Sequence, residues 1–244
     1  MVPEKQINEF VSRMQQSAGD NLQSIILYGS AANGEFHRDF SNVNLLCVLR
    51  ETSFATLAPI TPAVKWWSGQ KHHPPLVLTR EELERSTDVF SIELLDMQQR
   101  HRVLFGEDVL SGLQIPMHLH RAQVEYELRE KLILLRGHLL LVGDNEGQLW
   151  DLMLRSLASF ITLFRHTLIA MGDPAQRSKR DAVQALSIPV QFDSSAFLQL
   201  LDVREGKAER KQLDAKDVFT RYLHGIQQVT AAVDRILEVA SGTS

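Results

Sequence analysis

The chain carries one cysteine, Cys47, among 244 residues. A lone thiol excludes an internal disulfide framework and any zinc site built from several cysteines, and it fits a reducing, cytoplasmic setting. Long apolar runs are missing as well. Leu132–Leu135 and Leu139–Val142 fall far short of the ~20 residues that span a bilayer. The opening Met-Val-Pro-Glu-Lys-Gln lacks the apolar core of a signal peptide, so no membrane partner is expected. Neither sign of charge dominates: 26 Lys and Arg stand against 30 Asp and Glu, a net charge of −4. No global basic field therefore draws in nucleic acid. There is no internal repeat, and no biased tract beyond the polar Ser241–Ser244. What remains is ordinary for a globular protein, 44 % apolar and 23 % charged, with length for one large domain or two small ones.

Two halves read differently. Over 1–115, short β-type runs alternate with helical stretches; over 116–244 the pattern is helical. Ile7, Phe10, Val11 and Met14 recur at helical spacing between Pro3 and Ala18, and Gly19-Asp20-Asn21 stops them. Ser24–Tyr28 and Val43–Leu49 are short apolar runs of the kind that form buried strands. Leu57, Ile60, Val64 and Trp67 predict a helix with Pro62 near its start or at a kink. A third strand, Leu76–Leu78, follows the breaker His72-His73-Pro74-Pro75. Thr79 with Glu82 three residues later predicts a capping box at a helix start. Val89–Leu95 reads as a fourth strand, and Met97–Phe105 as a helix ended by Gly106. In the second half, Val124, Leu128, Leu132, Leu135 and Leu139 line one face of a long helix closed by Gly143. Leu149–Met171 predicts a second long helix, with shorter ones over Asp181–Leu186 and Ala196–Val203. A last stripe runs through Val218, Tyr222, Ile226, Val229, Val233 and Ile236. Short loops between helices predict an up-and-down bundle.

The informative segment is 25–49: strand, Gly29-Ser30, a helical turn, a polar loop, then a second strand. Glycine after a strand lets the backbone approach a ligand, and the helical turn behind it offers free N–H groups to phosphate. Asn42 and Asn44 are two apart, so on a strand they point to one side. Ser30 and this pair are expected to face a shared pocket.

Leu27-Tyr28-Gly29-Ser30, with Ala31, Gly34 and Glu35, and then Asn42-Val43-Asn44-Leu45-Leu46, resemble the signature of the DNA polymerase β-type nucleotidyltransferase superfamily. The layout resembles its aminoglycoside nucleotidyltransferase branch, as does Val103-Leu104-Phe105-Gly106-Glu107. The resemblance implies an α+β fold: a mixed β-sheet with flanking helices over 1–115, followed by an all-α helical bundle over 116–244. It also implies a nucleotide held at Gly29 and Ser30, and Mg²⁺ with a nucleoside triphosphate as cofactors.

In that superfamily two carboxylates open the second strand and, with a third from a later strand, hold two Mg²⁺ ions. Here both positions are asparagine, Asn42 and Asn44. Magnesium prefers charged oxygen ligands, and each lost close charge pair removes about 4 kcal/mol at an effective dielectric near 20. Impaired metal binding is expected. Glu93, with Asp96 nearby, fills the third acidic position if the family's third strand is Val89–Leu95; if it is Leu76–Leu78, that position falls near His73 or Pro74. Glu35 and Asp39 offer another route to a carboxylate.

Three functions stay open on these residues. One is a degenerate nucleotidyltransferase that binds nucleotide and acts through regulation or a partner. Another is an active enzyme that moves a nucleoside monophosphate to a small-molecule or protein hydroxyl. The third is an interaction module whose bundle forms a homodimer. The nine histidines suggest no metal site: His118 and His120 would share a side only on a strand, and no acid completes a set. His138 and His166 fit helix packing, and of Trp66 and Trp67 at most one can face a pocket.

Overall fold

The two apolar runs that flank Gly29-Ser30 become the central strands of a four-stranded sheet. The structure is a computed structural model that describes residues 2–32, 42–173 and 177–241. Its backbone divides into two units, Met1–Pro116 and Met117–Ser244. In the first, α1 (Glu4–Ala18) leads into β1 (Leu22–Tyr28), which pairs antiparallel with β2 (Asn44–Leu49). The helices α2 (Phe54–Leu57) and α3 (Thr61–Gly69) follow, then β3 (Leu76–Thr79), parallel to β2. Next come α4 (Arg80–Arg85) and α5 (Ser91–Gln99). The last strand, β4 (His101–Gly106), pairs antiparallel with the free side of β1. The order is therefore β3-β2-β1-β4, a mixed sheet.

Both faces of this sheet are covered, which is why its central strands are apolar at almost every position. Ile25, Leu27, Leu45, Cys47 and Leu49 pack on one side with Phe10 and Met14 of α1 and Trp67 of α3. Ile26, Leu46 and Val48 pack on the other with Leu83 of α4 and Leu94 and Met97 of α5. Each such fully buried side chain stabilises the fold by about 2 kcal/mol. Cys47 is wholly buried in β2, and burial pushes its thiol up to about 12. Trp67 stacks on His72 and meets Phe10 at a tilt, whereas Trp66 turns away under the Arg13 guanidinium. The expected capping box forms: Thr79 Oγ1 accepts from the Glu82 N–H at 3.1 Å, and Glu82 Oε2 accepts from the Thr79 N–H at 2.7 Å. Pro62 sits at the start of α3, where its missing N–H costs nothing.

Two expected elements are exchanged. Val89–Leu95 is not a strand, and Met97–Phe105 is not a helix; α5 covers Ser91–Gln99 and the fourth strand is His101–Gly106. Periodicity cannot separate strand from helix in so short an apolar run. Ser91, Leu94 and Met97, buried at three-residue spacing, form the face of a helix lying on the sheet. β4 is an edge strand with no buried position, so it carries no alternation to read.

The second unit contains α6 (Met117–Val142), α7 (Glu146–Ala170), α8 (Lys179–Val190), α9 (Ser195–Arg204) and α10 (Ala215–Ser241). Val124, Leu128, Leu132 and Leu135 are the buried stripe of α6, as the spacing predicts. Helix α7 is long and apolar enough to cross a membrane by composition, but 61 % of its apolar window lies buried, as in a core helix. Asn145 caps it by accepting the Gln148 N–H at 3.0 Å. In α10, Tyr222 is buried and shares a hydrogen bond of 2.9 Å with the Ser156 hydroxyl of α7.

Between α6 and α7, His120 Nε2 and His166 Nδ1 lie 2.9 Å apart, both rings buried. Burial first, then the nearby His166 and Arg121, lowers the His120 imidazole to about 4. An unfolded chain takes up this proton near 6.5, so stability is full above that value and falls as pH drops toward 4. The expected loss is about 3 kcal/mol across that window. Urea midpoints measured between pH 7.5 and 4.5 check it: the fall should be markedly shallower in His120→Gln, and an equal fall would place the acid sensitivity elsewhere.

Candidate functional site

β1 ends at Tyr28, and the chain turns at once. Gly29 adopts φ +76, in the left-handed region that a side chain makes costly. Gly29–Ala31 then forms a single helical turn closed by the Ala32 N–H on the Gly29 carbonyl at 3.0 Å. The Gly29 N–H donates to the Arg100 carbonyl at 3.0 Å, tying the turn to the entry of β4.

Asn44 opens β2 directly opposite Tyr28. It is half-buried, and a Cβ at Gly29 would lie 3.4 Å from its Nδ2. The Asn44 amide therefore packs against the turn that carries Ser30. Alternation puts Tyr28 with Ile26, on the sheet face covered by α5. Asn42 is exposed, just before the strand. Of the expected set, the structure brings Gly29 and Asn44 together, with Ser30 in the same turn. Glu35 and Asp39 lie outside the described residues.

Glu93 reaches this end of the sheet by a route the sequence reading did not anticipate. It is exposed on α5, not on a strand. Burial, and secondly the negative charge of Glu93, raise the Tyr28 phenol above its usual value, which puts the carboxylate within electrostatic reach of the ring. The strand residue facing Tyr28 across β4 is His101, not an acid.

His101 fixes α5 in place. Its Nδ1 lies 3.0 Å from the Met97 carbonyl and 3.1 Å from that of Gln98, so it caps the last turn of the helix. Its Nε2 meets Asp108 Oδ1 at 3.1 Å. Asp108 also accepts the Leu110 and Ser111 N–H groups, both at 3.1 Å, and the Ser111 hydroxyl. Burial works against its charge, but the Ser111 and His101 hydrogen bonds outweigh it and hold the carboxyl at about 2. Its stabilising effect is thus present above its ordinary 3.8 and lost as pH falls toward 2. Because the carboxylate is over a third exposed, Asp108→Asn is expected to cost about 1 kcal/mol at pH 7 and almost nothing at pH 2. Denaturation curves at the two pH values check this. Tyr28, His101 and Asp108 escape sequence reading; the one usable signal was the position of Tyr28 immediately before Gly29.

The donor chemistry decides whether magnesium suits this turn. Mg²⁺ binds oxygen ligands, carboxylates above all, in near-ideal octahedra. Asn44 offers a neutral amide, and Glu93 is the carboxylate whose field reaches Tyr28. No group of three or more His, Cys, Asp or Glu able to hold a metal occurs among the described residues. Among the described residues, this turn is met by one neutral amide and the field of one carboxylate. Of the other histidines, His72 stacks on Trp67 and bonds Gln6 Oε1 at 2.8 Å, His118 is exposed and His120 is buried.

No curated protein matches the chain. Among solved structures, the fold is similar to that of a spectinomycin adenyltransferase from Enterococcus faecialis, determined with ATP and spectinomycin. The two share 14 % identity with a TM-score of 0.56, over 93 % of this chain and 98 % of that one. The likeness is one of fold: a mixed sheet with flanking helices, then a helical region. The sequence profile of the nucleotidyltransferase domain matches residues 4–134, more than half of the chain. With that match, the Gly29-Ser30 turn at the end of β1 and β2 opening beside it, the chain belongs to the nucleotidyltransferase domain family, within the polymerase β-type superfamily.

Proposed function

We propose that this protein binds a nucleotide at the Gly29–Ala31 turn without the family's two-metal centre, and that it serves a regulatory or partner-binding role with little or no transfer activity. The observation that carries the reading is the Asn44 amide packed against Gly29, at a position where the resemblance calls for a metal-binding carboxylate. The turn offers a backbone without a side chain and the start of a helical turn, both suited to phosphate oxygens. A neutral amide there neither repels a triphosphate nor recruits a dication. Nucleotides are the first ligands to test, since the similar adenyltransferase was determined with ATP.

The test is calorimetric titration of the full chain with ATP and GTP, in Mg²⁺ and again in EDTA, alongside an assay for pyrophosphate release. Equal affinity in both buffers with no pyrophosphate is expected. Binding that requires Mg²⁺, with pyrophosphate released, would overturn the reading and assign an active transferase that draws on Glu93, Glu35 or Asp39. No binding in either buffer would leave the bundle as an interaction module, with a second copy or another protein as its partner.

A further inference from the structure

The second unit carries a groove of about 600 Å³ between α6 and α7, within the size range of small-molecule sites. Leu135 and Phe160, both buried, and the half-buried Leu152 line it as apolar surface. Leu134 also lines it and stays 53 % exposed, so apolar surface faces water there with nothing in the bundle covering it.

The charges of the groove nearly cancel, and the remainder is specific. Lys131 is neutralised by Glu127 at 2.8 Å, one helical turn away. Asp151 is neutralised by Arg210 at 3.1 Å. The His138 Nδ1 donates to the Leu134 carbonyl at 2.9 Å. Arg155 lines the same groove, is exposed, and has no ion-pair partner among the described residues. A planar, uncommitted guanidinium beside an apolar trough matches a carboxylate on an apolar body, since arginine holds a carboxylate through two parallel hydrogen bonds.

We propose that this groove is a binding site for a small amphipathic monocarboxylate, with the carboxylate on Arg155 and the apolar body over Leu135, Leu152 and Phe160. The site lies wholly in the second unit and does not depend on the nucleotide reading.

Octanoate, octanol and octyltrimethylammonium share one chain length and differ in head charge. Titrated into the full-length protein and followed by ¹H–¹⁵N shifts, octanoate is expected to saturate one site. It should bind at least ten-fold more tightly than octanol, and the ammonium should bind no better than octanol. Arg155→Gln, at an exposed position, should fold normally and bring octanoate down to the octanol affinity. Ser159→Trp, which places a large ring at the groove wall, should weaken octanoate and octanol alike. The proposal is overturned if octanoate shows no saturable binding, binds no more tightly than octanol, or keeps its advantage in Arg155→Gln.

Discussion

Changing Asn42→Asp together with Asn44→Asp is expected to make ATP bind at least ten-fold more tightly in Mg²⁺ than in EDTA, whereas equal affinities are expected for the unaltered protein. Without metal, each new carboxylate repels the triphosphate, by up to about 4 kcal/mol for a pair 4 Å apart at an effective dielectric near 20. Solvent reduces that figure at Asn42, which is exposed, and less at Asn44, which is half-buried against Gly29. With magnesium the sign reverses, because the dication bridges carboxylate and phosphate oxygens. Asn44→Asp alone should give most of the effect and Asn42→Asp alone the smaller part. Calorimetry in the two buffers measures it. Equal affinities for the double variant would mean that the nucleotide, if bound, does not approach this end of β2.

The largest loss of stability is expected for Gly106→Ala, at the end of β4. Gly106 has φ +76, and a Cβ there would lie 1.9 Å from the Gln23 carbonyl oxygen and 2.9 Å from its carbon. That obstacle is backbone of β1 rather than the tip of a flexible side chain. Ser24, buried in β1, holds both flanks of the glycine, donating to the Phe105 carbonyl at 3.2 Å or the Glu107 carbonyl at 2.7 Å. The methyl group can be admitted only if β4 separates from β1, which sacrifices sheet hydrogen bonds as well as backbone comfort. A cost of about 3 kcal/mol or more is expected. Gly112→Ala, where a Cβ meets nothing within 4 Å, is the matched control and should be nearly neutral. Urea denaturation of both variants decides it; a loss below about 1 kcal/mol for Gly106→Ala would show that β4 yields easily.

Gly29 and Gly106 mark what the sequence can disclose. Gly29 was legible because it follows a buried strand and precedes a serine, a local pattern with a local cause. Gly106 reads as a helix stop and as part of the Val103–Glu107 resemblance; its real constraint comes from Gln23, some eighty residues earlier, and contacts of that range leave no trace in spacing. The same contrast separates the helices. The α6 stripe from Val124 to Leu135 and the Thr79–Glu82 box follow from neighbours along the chain. The exchange of strand and helix over 89–106 turns on β4 pairing with β1 at the sheet edge. At the site, Gly29, Ser30 and Asn44 stood out by their order. Glu93 is named by the sequence as a possible third acid, but its approach to Tyr28 from α5 is not; His101 faces Tyr28 only through the β1–β4 pairing, and Asp108 joins through a ring nitrogen.

Cys47 gives the molecule a built-in clock. It is the only thiol in the chain, and it lies on β2, between β1 and β3. An alkylating reagent in solution cannot reach its sulfur until the α1 and α3 layer lifts from that face of the sheet. The rate at which the protein takes up a single label therefore counts the openings of that layer. A ligand that slows the labelling is one that makes openings around Cys47 rarer.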